Sequence, residues 1–146
     1  MGYIHKDQYL QEEPVFVNRV SVRDELDMHA HEFLEIAFIE QGCGTHILQS
    51  ESHPVREGDL LLINYDTPHS FVAQEGTSMT VCNCIFTPAF FDYSLIDSKN
   101  FADIMRHFLF HVFSTGDLPS HWHIHLSPAH VQNAARLYES MQKEYL

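Results

Sequence analysis

The sequence predicts a mainly β domain, an antiparallel sandwich or barrel, that is followed by an α-helical segment. Two observations support this class: short runs rich in β-branched and aromatic residues fill residues 15–86, and residues 127–146 have helical periodicity. The chain has 146 residues, of which 45% are apolar, which is enough for one compact domain and too little for two. We therefore expect a single barrel with short flanking segments.

The N-terminal segment, residues 1–14, is polar with scattered apolar side chains and ends at Pro14, as is typical of an arm that leads into a fold. Charged residues occupy the positions where a signal peptide needs an apolar core, and the sequence contains no apolar run of about eighteen residues. The three cysteines follow no zinc-finger spacing. We therefore expect a cytoplasmic protein with reduced thiols and no membrane span.

Short strands are predicted throughout the first part of the barrel, which we expect to extend over residues 15–126. In chain order they are VFVNRVSV, FLEIAFIE, GTHILQS, DLLLIN, HSFVAQ and SMTVCNCIF. Gly42, Gly58 and Gly76 interrupt these runs, and glycine accepts the positive φ that tight reversals require. So many short strands in about seventy residues predict antiparallel pairing.

The region after Pro88 differs in composition. A short helix is predicted through FADIMRHF, and two further strands through LFHVFS and HWHIHLS. In the last run His121, His123 and His125 alternate with apolar residues, which favours a half-buried strand with a solvent-facing polar side over a metal-chelating surface. The phenylalanines of this region are predicted to be core or interface residues.

The C-terminal segment, residues 127–146, carries the strongest helix signal. Ser127 is predicted as the N-cap and Pro128 as the first helical residue. One apolar stripe runs along this helix and consists of Val131, Ala134, Tyr138, Met141 and Tyr145. The stripe must be buried, and its partner is either the barrel of the same chain or a second copy in a homodimer.

The charge of the chain argues against direct contact with nucleic acid. Twenty acidic residues face eight basic ones, which gives a formal net charge of −12. Such a surface repels the phosphate backbone instead of releasing counterions from it. We do not expect this chain to hold DNA by itself.

Four residues of metal-ligand type form the most informative group. His29, His31 and Glu35 share one face if they lie in one continuous strand. His69 follows a predicted strand and its exit loop, and a barrel can bring it beside them. Three imidazoles and one carboxylate suit a divalent zinc, nickel, iron or manganese ion and leave coordination positions open. The alternative is a metal-free effector pocket, or a cluster that satisfies its own hydrogen bonds.

Two further residues are candidates for the same pocket. His46, on the next predicted strand, is either a ligand for a hydroxyl or carboxylate group or a histidine held in place by hydrogen bonds. Asn83 points into the pocket if Cys82 and Cys84 face outward. The predicted ligand-binding set is therefore His29, His31, Glu35, His46, His69 and Asn83.

The order of these motifs resembles the cupin superfamily. The spacing His29-x-His31-x3-Glu35-x6-Gly42 is similar to the first cupin motif, and residues 58–69 have the spacing of the second. The resemblance implies a cupin double-stranded β-helix, which is a jelly-roll barrel. It also implies that the metal-ligand positions of metallocupins are all occupied, by His29, His31, Glu35 and His69.

Departures in the second motif, at Asn64, Asp66 and Ala73, resemble the N-terminal sensor domain of AraC-type transcription regulators more than the cupin enzymes. The runs HAHEFLEIAFIEQGCGTHIL, REGDLLLINYDTPHSF, NCIFTPAFF and LYESMQKEYL carry this resemblance. It implies a barrel that binds a small effector, helices that mediate dimerisation, and a separate C-terminal domain with two helix-turn-helix motifs that binds DNA. That DNA-binding domain is expected to lie outside this chain.

These observations lead to three hypotheses for function. The leading one is a ligand-sensing and dimerisation domain of an AraC-type regulator, which is not an enzyme and binds a small, sugar-like effector. The alternative is a metal-dependent cupin enzyme, a dioxygenase or sugar isomerase, that uses the same four ligands. The third is a purely structural dimerisation module whose barrel is filled by its own side chains.

Overall fold

The structure, a computed structural model, describes residues 1–5, 8–10, 15–64, 66–86 and 122–145, without the side chains of residues 122 and 145. Within these ranges the chain forms strands β1 to β10 and one helix, α1. The bounds are β1 (Gly2–Ile4), β2 (Val15–Arg23), β3 (His29–His31), β4 (Leu34–Gln41), β5 (Cys43–Leu48), β6 (Glu51–Arg56), β7 (Asp59–Ile63), β8 (His69–Ala73), β9 (Ser78–Phe86), β10 (Trp122–His125) and α1 (Pro128–Tyr145). No helix in these ranges is long and apolar enough to cross a membrane.

Two five-stranded sheets make up the barrel. The first sheet has the order β1-β3-β8-β5-β6, and the second has the order β10-β7-β4-β9-β2. Strands β1 and β3 pair in parallel, whereas the other pairs run antiparallel. The predicted mainly β jelly-roll class, with a helix after the barrel, is therefore confirmed.

The apolar core lies between the two sheets and determines which side chains point inward. Its buried members are Val22, Ala37, Ile39, Val55, Leu61, Ile63, Phe71, Ala73, Met79 and Val81. By contrast Phe38 and Cys82 belong to a cluster on the outer face, beneath α1. Because side chains alternate along a strand, Glu35, Asp59 and Asn83 share the inner face with the core residues.

All of the strands predicted between residues 15 and 86 are present, as β2, β4, β5, β7, β8 and β9. The prediction missed β6, in which Val55 is the only buried residue and Pro54 interrupts the apolar pattern. Such a polar strand can stand at the edge of a sheet, where β6 is found. It also missed the three-residue strand β1, which lies within the predicted N-terminal arm.

The expectation that His29, His31 and Glu35 share one wall is wrong. The chain bends at Glu32 and Phe33, so that β3 belongs to the first sheet and β4 to the second. His31 and Glu35 therefore approach each other from opposite sheets. The alternation of inward and outward side chains does not continue across such a bend. The side chains of His31 and Glu35 nevertheless still meet.

Two glycines have the positive φ that was expected of them, and both also lie close to other atoms. Gly42 joins β4 to β5 with a φ of 85°, and a Cβ there would lie 2.6 Å from the carbonyl oxygen of Ser78. Gly58 precedes β7 with a φ of 94°, and a Cβ would lie 3.0 Å from Cγ2 of Val131 on α1. Both positions need a residue without a side chain.

Helix α1 begins as predicted and packs on the barrel of its own chain. The Ser127 hydroxyl accepts a hydrogen bond from the His130 amide at 3.4 Å, as an N-cap does. The apolar stripe contacts the outer face of the second sheet through Val131, Ala134, Tyr138 and Met141. The Tyr138 hydroxyl also donates to the carbonyl oxygen of Ile36 at 2.8 Å. Of the two partners left open for this stripe, the barrel is therefore the one observed.

Strand β10 confirms part of the prediction for the histidine-rich run and corrects the rest. His123 and His125 both contact the buried carboxylate of Asp59 on β7, so the polar side of the strand is only partly open to solvent, with the side chain of His125 43% exposed and that of His123 17% exposed. The apolar Ile124 is 41% exposed as well. His121, the predicted helix at 101–108, the strand at 109–114 and the phenylalanines of that region lie outside the described residues.

Candidate functional site

A cavity of about 440 Å³ opens between the two sheets. Both sheets and the N-terminal segment line it, through Gly2, Ile4, Tyr9, Asn18, Val20, Leu26, Asp27, Met28, His29, His31, Phe33, Glu35, His69, Phe71, Val81, Asn83 and Ile85. Most of this wall is apolar, with a few polar side chains, which is typical of a small-molecule site. The side chains of the described residues therefore do not fill the barrel, contrary to what a purely structural module requires.

Three of the four predicted metal ligands converge on this cavity. Ligand atoms of His31, Glu35 and His69, here called the cavity cluster, all lie within 4.8 Å of one another. The His31 Nε2 is 2.9 Å from Glu35 Oε2 and 3.2 Å from His69 Nε2, and the last two atoms are 3.9 Å apart. All three side chains are buried, so bulk water does not screen their interaction.

Local structure fixes the orientation of His31. Its ring stacks on Phe33 with centroids 4.2 Å apart, and its Nδ1 lies 2.8 Å from the carbonyl oxygen of Phe33. Because a carbonyl oxygen only accepts hydrogen bonds, Nδ1 carries the proton in this bond. The Nε2 of a neutral His31 ring therefore presents a lone pair to the cavity.

This tautomer creates an electrostatic conflict in the cavity cluster. The His31 Nε2 lone pair faces the Glu35 carboxylate, which is an acceptor as well, at 2.9 Å. Two acceptors at this distance repel each other unless a proton or a cation lies between them. The arrangement therefore calls for a proton or a metal cation between these two atoms.

His69 is held in the neutral form that binds metals. Burial and the nearby imidazoles of His29, His31 and His46 hold the pKa of His69 well below its usual value of 6.5. Its Nδ1 has no hydrogen-bond partner among the described residues. The His69 atom that faces His31 and Glu35 is the other ring nitrogen, Nε2, and a neutral imidazole can offer its lone pair there to an ion.

The chemistry of the cavity cluster fits a divalent transition metal. Two imidazole nitrogens and a carboxylate oxygen are ligands of zinc and similar ions, and donor atoms about 2.1 Å from one ion lie roughly 3 to 3.5 Å apart. The observed separations of 2.9, 3.2 and 3.9 Å surround that range. The bond from His31 to a backbone carbonyl is also the outer contact that metal-binding histidines make.

His29, the fourth predicted ligand, lies beside the cluster without joining it. Its ring centroid is 4.4 Å from that of His69, and its strand pairs with β8 at that residue. The Nδ1 of His29 is 2.8 Å from the carbonyl oxygen of Asp27, so its Nε2 also carries a lone pair. His29 therefore lines the cavity next to the cavity cluster.

His46 is buried but does not line the cavity. Its ring stacks on Phe71 with centroids 4.7 Å apart and lies 5.6 Å from the ring of His69. Only 1% of His46 is exposed. The structure therefore places it as a neighbour that supports His69 and Phe71, rather than at the cavity surface.

Asn83 lines the cavity, because Cys82 and Cys84 face outward toward α1, as the prediction required. It lies directly opposite Asn18 on β2, and its Nδ2 donates to the Asn18 Oδ1 at 3.1 Å. Asn18 was not predicted from the sequence. An amide at an inward position within the strand-forming run VFVNRV was the signal that could have identified it.

Comparison with known proteins relates most of the chain to one family. The family model for the AraC-like ligand binding domain matches residues 21–143. The HTH-type transcriptional activator RhaR of Mannheimia succiniciproducens is 29% identical over 85 residues, which are 58% of this chain and 30% of that protein. RhaR of Escherichia coli strain K12 is 30% identical over 60 residues, which are 41% of this chain and 21% of that protein. The chain spans less than a third of the length of these relatives.

Among solved structures, a cupin 2 conserved barrel domain protein from Salinispora arenicola is similar to the barrel. The TM-score is 0.49 with 17% sequence identity, over 54% of this chain and 68% of that one. The family match is wider than this likeness, since it runs from the end of β2 into α1.

Proposed function

Because this chain belongs to the AraC-like ligand-binding domain family, we propose that it senses a small polar effector inside its barrel on behalf of a transcription regulator. The observation that carries this proposal is the cavity of about 440 Å³ with buried polar groups on an apolar wall. A cavity of this size admits a molecule as large as a monosaccharide. Imidazole, carboxylate and amide groups suit hydroxyl-rich effectors such as sugars.

We further propose that the cavity cluster holds one divalent ion, either zinc, nickel, iron or manganese. His31, Glu35 and His69 would be its ligands, and His29 would approach as the fourth. The ion would remove the repulsion between the His31 lone pair and Glu35 and would offer a coordination position to a hydroxyl group of the effector. His46 would support the site from behind without contacting the effector.

The contacts of the second sheet offer a route from the cavity to α1. Glu35 and Asn83 face the cavity, whereas Phe38 and Cys82 on the same strands face the helix. The bond from Tyr138 to the carbonyl oxygen of Ile36 ties α1 to the residue next to Glu35. An effector that binds one position of β4 better than another would therefore change how α1 packs on the barrel.

A homodimer and a DNA-binding domain belong to this proposal as partners. The net charge of −12 disfavours DNA contact by this chain, so DNA would be bound through a separate C-terminal domain. Met141 packs on the barrel, whereas Leu137, one turn earlier at the margin of the buried stripe, is 63% exposed. We expect Leu137→Glu to shift a dimer toward monomers in sedimentation experiments, with the exposed Gln132→Glu, about 140° around the helix from Leu137, as the matched control.

The experiment that tests the sensor proposal is a thermal-stability screen of metal-free and zinc-loaded protein against neutral, anionic and cationic metabolites. An effector stabilises the folded state, by about 2.7 kcal/mol at a hundredfold excess over Kd. A stabilising compound that is recovered unchanged supports the sensor. The convergence of three metal ligands favours a metal-dependent cupin enzyme as the second candidate, and turnover of a stabilising compound would establish that enzyme instead.

A further inference from the structure

We infer that Asn18 and Asn83 form a second anchor in the cavity, which selects effectors through an uncharged hydroxyl or carboxamide group. This inference rests on the proposed effector binding and specifies the effector's chemistry. The two residues lie opposite each other on β2 and β9, on the inner face of the second sheet. They extend the polar part of the cavity beyond the cavity cluster.

The hydrogen bonding of the pair leaves one acceptor and one donor for a ligand. Asn83 is 8% exposed and uses its Nδ2 to donate to Asn18, while its buried Oδ1 has no partner among the described residues. Asn18 uses its Oδ1 as the acceptor in that bond, so its own Nδ2 is left to donate elsewhere. A buried acceptor without a partner is costly, and a ligand that donates to it removes that cost.

The surroundings of the pair strengthen this selection. Val81 and Ile85 lie two residues to either side of Asn83 and line the cavity with it, as Val20 does beside Asn18. Hydrogen bonds in such an apolar setting are stronger than in water, and mismatched groups are more costly. The pair therefore discriminates between ligands by the hydrogen-bonding groups they present.

Charge excludes one class of ligand from this anchor. The lining contains the carboxylates of Asp27 and Glu35, and no lysine or arginine is among the described residues that form it. A carboxylate has no proton to donate to the Asn83 Oδ1, and in the metal-free protein it would face negative charge without a counterion. A hydroxyl or carboxamide group both donates and accepts, so it can satisfy both asparagines.

Acetamide and acetate test this inference directly, because they have the same shape and differ in charge and in the ability to donate. Metal-free, ¹⁵N-labelled protein is titrated with each probe, and the side-chain NH₂ resonances of Asn18 and Asn83 are followed by NMR. The exposed Asn133 on α1 provides an internal control for non-specific effects. Asn18→Leu and Asn83→Leu assign the two resonances, and melting temperatures show whether each variant is folded.

We expect acetamide to shift both cavity resonances, but not that of Asn133, with an affinity at least about tenfold higher than that of acetate. Either Leu variant should abolish the shift of the remaining asparagine. Equal responses to both probes, or no response to either, would overturn the inference. If metabolites still stabilise the protein in that case, the selective anchor fails alone; if none does, the sensor proposal fails with it.

Discussion

Two clusters in this barrel contain the same groups, a buried carboxylate between two imidazoles, yet their arrangement differs. The cavity cluster is built around Glu35, and the second, here called the Asp59 cluster, consists of Asp59, His123 and His125. The two carboxylates, Glu35 and Asp59, both lie on the inner side of the second sheet, near opposite ends of β7: Asp59 begins this strand, and Ile63, which pairs with Glu35, ends it. Four residues of strand separate the ends by about 13 Å.

In the Asp59 cluster every acceptor has a donor. One carboxylate oxygen lies 2.7 Å from the His125 Nδ1, and the other lies 2.9 Å from the His123 Nε2 and accepts the Arg56 amide at 2.9 Å. In the cavity cluster three atoms of metal-ligand type instead lie within 4.8 Å of one another. The same residue types therefore either satisfy one another in a structural contact or leave a site available to a ligand, depending on where their lone pairs point.

The largest effect is expected from removal of the carboxylate at Asp59. Asp59→Ala leaves two imidazoles and the Arg56 amide without their acceptor, and 3% exposure means that little water replaces it. We expect the free energy of unfolding to fall by about 3 kcal/mol, measured by urea denaturation. The exposed Glu139→Ala is the control and should change little. A loss no larger than that of the control would show that the Asp59 cluster is not a structural contact.

Zinc should stabilise the wild-type protein by almost as much as Asp59→Ala destabilises it. An ion that binds only the folded chain adds about 2.7 kcal/mol at a concentration of one hundred times Kd. The gain should disappear with a chelator and should be absent in His31→Ala, which lacks the central ligand. Thermal denaturation with and without zinc measures it. An equal gain in wild type and His31→Ala would assign the ion to another part of the molecule.

A smaller loss is expected at the exposed side of the Asp59 cluster. The side chain of His125 is 43% exposed, so water replaces much of the lost bond in His125→Ala. We expect a loss of about 1 kcal/mol in urea denaturation, less than for Asp59→Ala. A loss as large as that of Asp59→Ala would mean that His125, and not the carboxylate, is the centre of this contact.

The smallest effect on stability, and one of opposite sign, is expected at Glu35. In metal-free protein Glu35→Gln replaces an acceptor by an amide that donates to the His31 lone pair, which relieves the repulsion. The variant should be as stable as wild type or more stable by about 0.5 kcal/mol. The same exchange at Asp59 should destabilise the protein. Destabilisation by Glu35→Gln in the presence of a chelator would show that the cavity cluster satisfies its own bonds.

Much of this architecture followed from the sequence because alternation and turn residues are local signals. The strands from β2 to β9 that alternate apolar and polar residues were predictable, as were the Gly42 reversal and the Ser127 cap of α1. The polar edge strand β6 and the short strand β1 were not, because neighbouring strands stabilise them rather than their own composition.

The site was predictable in residue type and only partly in arrangement. Motif spacing placed His31, Glu35 and His69 together, and the structure brings them together. The bend at Glu32 and the removal of His46 from the cavity surface depend on how the two sheets face each other. The pairing of Asn18 with Asn83 depends on the register of two neighbouring strands in one sheet. Sequence spacing does not encode such contacts between distant strands, and this is also why the partner of His123 and His125 was missed.

We propose that the cavity cluster is the binding centre of the barrel and that the Asp59 cluster is a structural contact. Calorimetric titration of zinc into wild type, Glu35→Gln and Asp59→Asn tests it most directly. We predict one ion per chain in wild type and in folded Asp59→Asn, and binding weakened at least about tenfold in Glu35→Gln. Unchanged zinc binding in Glu35→Gln, together with its loss in Asp59→Asn, would contradict this assignment of the two clusters.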